Sequence, residues 1–143
     1  MTIKTIIQIE APVSKVFRDL TDGKNLKNWI EGFKKLRSVS GRRPNKGSIS
    51  KQIFEDSKGL MEVEEEILYY ERNKEFQVKL SHKNMLTLET YQFVNQGDST
   101  RLILTTNIRL IPMFIGIFAP FMKPQMKKSQ EANLMRLKRL LEK

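Results

Sequence analysis

The chain has 143 residues, no cysteine, a single histidine (His82) and a formal net charge of +10. That length suits one domain burying about two thirds of its unfolded surface, and the composition excludes disulfides, thiolate nucleophiles and paired-histidine zinc or iron sites. Neither G-x-x-x-x-G-K-S/T nor G-x-G-x-x-G occurs, so the backbone cradle that nucleotide phosphates need is missing, and no metal or cofactor is expected.

Thr2 to Glu10 alternates as a strand, with Ile3, Thr5, Ile7 and Ile9 on a face expected to be buried and Lys4, Ile6, Gln8 and Glu10 on the other. This alternation leaves no uninterrupted apolar region of the kind a secretory signal requires, so the cytoplasm is the expected compartment. Ala11-Pro12 opens a helix, proline being expected at the first helical position. Val13, Val16, Phe17 and Leu20 form its apolar stripe. Thr21-Asp22-Gly23 is expected to end the helix with Gly23 in the left-handed cap, and Asn25 to Ile30 predicts one or two further turns anchored by Trp29 and Ile30.

From Phe33 the pattern becomes a series of strands separated by turn residues, as an antiparallel sheet requires. Strands are predicted at 33–40, 48–56, 59–70, 74–83, 85–95 and 100–109. Breaks fall at Arg43 to Gly47, Asp56 to Gly59, Glu71 to Lys74 and Asn95 to Asp98, with a tighter one near Asn84 that has weaker turn chemistry. After Ile111-Pro112 comes one long helix. Its first part, Met113 to Met122, is apolar but too short to span a bilayer and carries Pro120, with Pro124 just beyond. In its last part Leu134, Leu137 and Leu141 share a face. No repeat or linker divides the chain, so residues 1–143 are read as one domain.

This order of elements, together with particular residues, resembles the START-like superfamily, which includes polyketide cyclases and dehydrases, lipid-transfer proteins and birch-pollen-allergen-like proteins. The resemblance is carried by Ile7-Gln8-Ile9-Glu10-Ala11-Pro12 with Val16-Phe17, Leu20-Thr21-Asp22 and Trp29. It is carried also by Glu89-Thr90-Tyr91-Gln92-Phe93 with Gly97 and Thr100-Arg101-Leu102, and by the closing Leu134 to Glu142. It implies an α+β helix-grip fold, in which a curved antiparallel sheet of about seven strands wraps a long C-terminal helix and encloses an apolar tunnel. It implies no universal catalytic residue, because members range from carriers and receptors to cyclases.

Candidate site residues follow from which side chains share a face. Phe76, Val78, Leu80 and His82 alternate along one strand, so His82 is placed beside three apolar residues, as a ligand contact or acid–base group or as a strand-end histidine satisfied by backbone or water. In Met61 to Ile67, alternation puts Glu65 inward, whereas a bulge would turn all four glutamates of the segment to solvent. Tyr91, Phe93 and Leu104 are candidates for the sheet side of the tunnel, with Phe17 and Trp29 from the short helices. Phe118, Phe121, Met122 and Met126 are the candidates from the long helix.

The basic residues fall in two diffuse groups, 34–58 and 123–139, without a recognition motif, so a solvated basic surface is expected rather than a nucleic-acid site. The expected function is binding or transport of a hydrophobic lipid, isoprenoid or aromatic molecule in an internal cavity. Two alternatives stand beside it. One is a polyketide cyclase or dehydratase in which His82, Tyr91 or Glu65 moves protons. The other is association with an anionic membrane surface, Phe114 to Met122 entering the lipid and Lys123, Lys127 and Lys128 meeting headgroups.

Overall fold

Period-2 burial starts the fold. In β1 (Thr2–Ile9) Ile3, Thr5 and Ile9 are buried while Thr2, Lys4, Ile6 and Gln8 face out. The computed structural model describes residues 1–83, 85–110 and 112–143, with side chains for all of these except 110 and 112–121. After β1 come α1 (Val13–Thr21), α2 (Leu26–Trp29), β2 (Phe33–Ser40), β3 (Ile49–Asp56), β4 (Gly59–Glu71), β5 (Glu75–His82), β6 (Met85–Asn95), β7 (Thr100–Leu110) and α3 (Pro112–Leu141). The strands form one curved antiparallel sheet in the order β1-β7-β6-β5-β4-β3-β2, so every connection from β2 to β7 is a hairpin and only the β1–β7 pairing crosses the chain. With α3 packed on its concave side, this is the expected helix-grip fold. The predicted break near Asn84 lies between β5 and β6, but Asn84 itself is outside the described residues.

The core sits where α1, α2 and the last turns of α3 cover the inner face of the sheet. Val16, Phe17 and Leu20 of α1, Trp29 of α2 and the shared face Leu134, Leu137 and Leu141 of α3 belong to one buried cluster with Ile67, Phe76 and Leu102 of the sheet. Fully burying each large apolar side chain contributes roughly 1.5–3 kcal/mol, so this junction is the main source of cohesion between helices and sheet.

Two expectations about α1 are corrected. Pro12 is the N-cap, with extended backbone, and its carbonyl accepts the first helical bond from Val16 N–H at 3.1 Å. Gly23 does not adopt the left-handed conformation. Instead Asp22 turns extended and its Oδ1 accepts the Lys24 N–H at 3.0 Å, so a local side-chain bond competes with the next helical turn and ends α1. What Gly23 supplies is room, since a Cβ there would lie 2.8 Å from Leu36 Cδ2.

Candidate functional site

Strand register brings scattered residues into rows across the inner face. Phe76 pairs with Tyr91 and Tyr91 with Leu104, forming an apolar and aromatic row through β5, β6 and β7. The next row joins Ile67, Val78, Glu89 and Thr106. The row beyond it joins Ser50, Glu65, Leu80 and Thr87. Phe17, Trp29, Phe76, Val78, Tyr91, Phe93 and Leu104, all named from the sequence, lie in one buried cluster. Their rings meet edge to face: Phe17 stands 4.9 Å from Phe93 and 5.2 Å from Tyr70, and Tyr70 lies 6.0 Å from Phe76.

Glu65 points inward and is 2% exposed, while Glu62, Glu64 and Glu66 stay at or near the surface. A bulge is present in β4, but it falls between Ile67 and Tyr69, after the glutamates. It leaves Glu65 on the inner face and shifts the alternation so that Tyr70, rather than Tyr69, pairs with Phe76 and joins the core. The buried carboxylate is fully engaged. Arg43 Nε donates to Oε1 at 3.0 Å and Gln52 Nε2 donates to Oε2 at 2.8 Å. Arg43 also donates to the Thr21 carbonyl and lies over the Phe76 ring, its guanidinium carbon 5.7 Å from the centroid. An isolated charge would be prohibitively costly here, and Arg43 removes that cost by pairing.

Glu89 is the functional candidate not named from the sequence. It sits on the inner face of β6 between Val78 and Thr106, and the Tyr91 hydroxyl donates to its Oε1 at 3.3 Å. Burial pushes its pKa up to about 7; the bond from Tyr91 opposes that shift and the negative charge of Glu65 adds to it. Burial, then the Glu89 carboxylate, holds the Tyr91 phenol well above its ordinary range, so Tyr91 remains a donor. Although enclosed, Glu89 keeps accessible surface. The alternation that places Tyr91 and Phe93 inward also covers Thr87 and Glu89, so the signal was in the strand pattern.

His82 lies half-buried at the end of β5, its Nδ1 2.8 Å from the Glu62 carbonyl. A carbonyl only accepts, so Nδ1 carries the proton and is committed to backbone. From α3, Met122 and Met126 are half-buried, whereas the side chains of Phe118 and Phe121 lie outside what the structure describes, as do the other side chains from Phe114 to Phe121 in the stretch expected to meet a membrane. Nearer the middle of α3, Gln130 donates to Thr106 Oγ1 at 2.5 Å and extends the polar row from Glu89 toward the helix. Among the described residues the buried indole N–H of Trp29 has no acceptor.

Beside this interior lies an open groove of about 1300 Å³ between α1, α2 and β2, bounded by the β4–β5 turn. Eight basic side chains and one acidic one, Asp22, line it, and Phe17, Phe33, Leu36 and Tyr70 form its apolar part. Among the described residues no helix is long and apolar enough to cross a membrane.

Residues 1–142 match the model of the family described as polyketide cyclase/dehydrase and lipid transport. The chain belongs to that family. Membership bears out the START-like resemblance carried by Ala11-Pro12, Trp29 and Glu89 to Phe93, and the family's breadth covers both hydrophobic ligand binding and cyclase-like chemistry. Among solved structures, a protein of Thermus thermophilus is 21% identical with a TM-score of 0.78, the match covering 97% of this chain and 95% of that one. A Chromobacterium violaceum protein is 16% identical at TM-score 0.80, covering 99% and 97%. The norcoclaurine synthase of Thalictrum, in complex with a transition-state analogue, is 17% identical at TM-score 0.72, covering 99% and 93%. At these identities the likeness establishes the family's fold. No curated protein matches the sequence.

Proposed function

We propose that this family member binds and carries a hydrophobic small molecule between the inner face of the sheet and α3. The body of the ligand contacts Phe76, Val78 and Leu104, while Glu89 and Tyr91 meet a polar group or a water at its inner end. One observation carries the reading: on the inner face of the sheet Glu89 is half-buried and, unlike Glu65, has no cationic partner among the described residues. A structural carboxylate is satisfied by its neighbours; a recognition carboxylate keeps capacity for a ligand hydroxyl, amine or water. Trp29, the only tryptophan, is buried in the same cluster and reports on it.

The test is titration with a neutral hydrophobe, dodecanol, followed by Trp29 fluorescence. Saturable binding that is lost in Val78→Phe, with the variant's fold verified by circular dichroism, supports the carrier reading. Absence of saturable binding for dodecanol and for aromatic probes alike would remove it.

A second reading is favoured by the same carboxyl. With a pKa of about 7, Glu89 is balanced between acid and base near neutrality, the condition in which a positioned group transfers protons most effectively. Dehydration or cyclisation of a bound polyketide-type chain, abolished in Glu89→Gln with binding retained, would establish it. Turnover unchanged in that variant would exclude Glu89 as the proton carrier.

A further inference from the structure

We infer that the groove between α1, α2 and β2 holds the anionic head of an amphipathic ligand, a free alkyl phosphate or a close relative. The inference rests on the carrier reading and extends it by naming the ligand's charge and the place that recognises it. Of the groove's cations, several are already engaged. Arg43 is held by Glu65 and the Thr21 carbonyl, Lys34 pairs with Glu55 at 3.3 Å, Arg18 pairs with Asp19, and Lys15 donates to the Leu141 carbonyl. Lys24, Lys27, Lys35 and Arg72 also line the groove, and among the described residues none of them pairs with a carboxylate.

Four unpaired cations around one concavity repel one another and destabilise the fold slightly, while concavity focuses their field on whatever anion enters. The groove also has an apolar part that connects it to the interior. Phe17 and Tyr70 line the groove and also belong to the interior cluster or pack on it. From Tyr70 the rings continue to Phe76 at 6.0 Å and from Phe76 to Tyr91 at 6.2 Å. An aromatic series therefore runs from the cationic rim to the Glu89–Tyr91 pair. An amphiphile fits both features at once, its phosphate at Lys24, Lys27, Lys35 and Arg72 and its chain against the half-buried Leu36 and Tyr70. A membrane plane does not enter a concave groove of this kind, which favours the free molecule.

The experiment compares dodecyl phosphate, below its micellar concentration and at low salt, with dodecanol, on the full chain and on Lys24→Glu/Lys27→Glu. Both lysines are exposed, so the substitutions leave the core untouched, and circular dichroism checks that the fold is retained. Dodecyl phosphate is expected to bind more tightly than dodecanol, and the double variant to weaken the phosphate by about tenfold or more while leaving dodecanol unchanged. Equal affinities for the two probes, or an unaltered phosphate affinity in the variant, would overturn the inference and leave the carrier reading standing. Failure of both probes would overturn the inference, and failure of aromatic probes as well would remove the carrier reading. Sedimentation with phosphatidic acid vesicles without binding of the monomer would overturn the inference in favour of a membrane contact.

Discussion

The Tyr91 hydroxyl donates to Glu89 Oε1 across 3.3 Å, two residues apart on the inner face of β6, while the fully buried carboxylate of Glu65 is neutralised by Arg43 at 3.0 Å. Two carboxyls thus occupy one apolar interior in opposite states. One has its own cation, and among the described residues the other meets only a phenol.

This difference sets the pH dependence of stability. The folded pKa of Glu89, about 7, lies above its ordinary value of 4.5. Between these values the folded chain binds more protons than the unfolded one, so the contribution of Glu89 is most favourable at low pH and is lost as pH rises through the window. The loss amounts to about 3 kcal/mol when complete. Glu89→Gln is therefore expected to be more stable than the natural chain at pH 8 and nearly equal to it at pH 4, by urea unfolding. A stability difference that does not vary with pH would contradict the raised pKa.

Removing Arg43 strands Glu65 in the core. Arg43→Met is expected to destabilise by about 3–5 kcal/mol, and adding Glu65→Leu to recover most of that loss, because an apolar pair replaces the buried ion pair at little cost. Chemical denaturation of the two variants decides it. A double variant no better than the single one would mean that Arg43 acts mainly through Thr21 and Phe76.

On α3, Leu137 is fully buried and Leu140 is 37% exposed. Leu137→Ala is expected to cost about 2–5 kcal/mol, and Leu140→Ala less than about 1 kcal/mol. Comparable losses at the two positions, read from thermal unfolding, would show that α3 is not seated on the face described.

His82→Ala is expected to leave dodecanol binding unchanged, since Nδ1 is committed to the Glu62 carbonyl at the strand end. A tenfold or greater loss of affinity would place the ring in the ligand site.

Strand alternation, helix stripes and turn residues made the elements legible to within a residue or two, because each depends on neighbours close in sequence. Glu65 is ambiguous because alternation and a bulge give opposite faces, and the bulge sits beyond it, between Ile67 and Tyr69. That displacement also brought Tyr70 inward, which no period-2 pattern shows. Arg43 read as one of a diffuse basic group, since its pairing with Glu65 is a contact between a loop and β4 far apart in sequence. Glu89 was readable from the alternation of Thr87, Tyr91 and Phe93, but its raised pKa depends on tertiary burial and on Glu65 across the sheet.

The most direct measurement is native mass spectrometry of freshly purified protein, followed by organic extraction and identification of what is bound. A stoichiometric hydrophobic adduct that is lost in Val78→Phe is the expected result. Protein of the bare chain mass that also fails to take up lipids, isoprenoids or aromatics added in excess would contradict a carrier function.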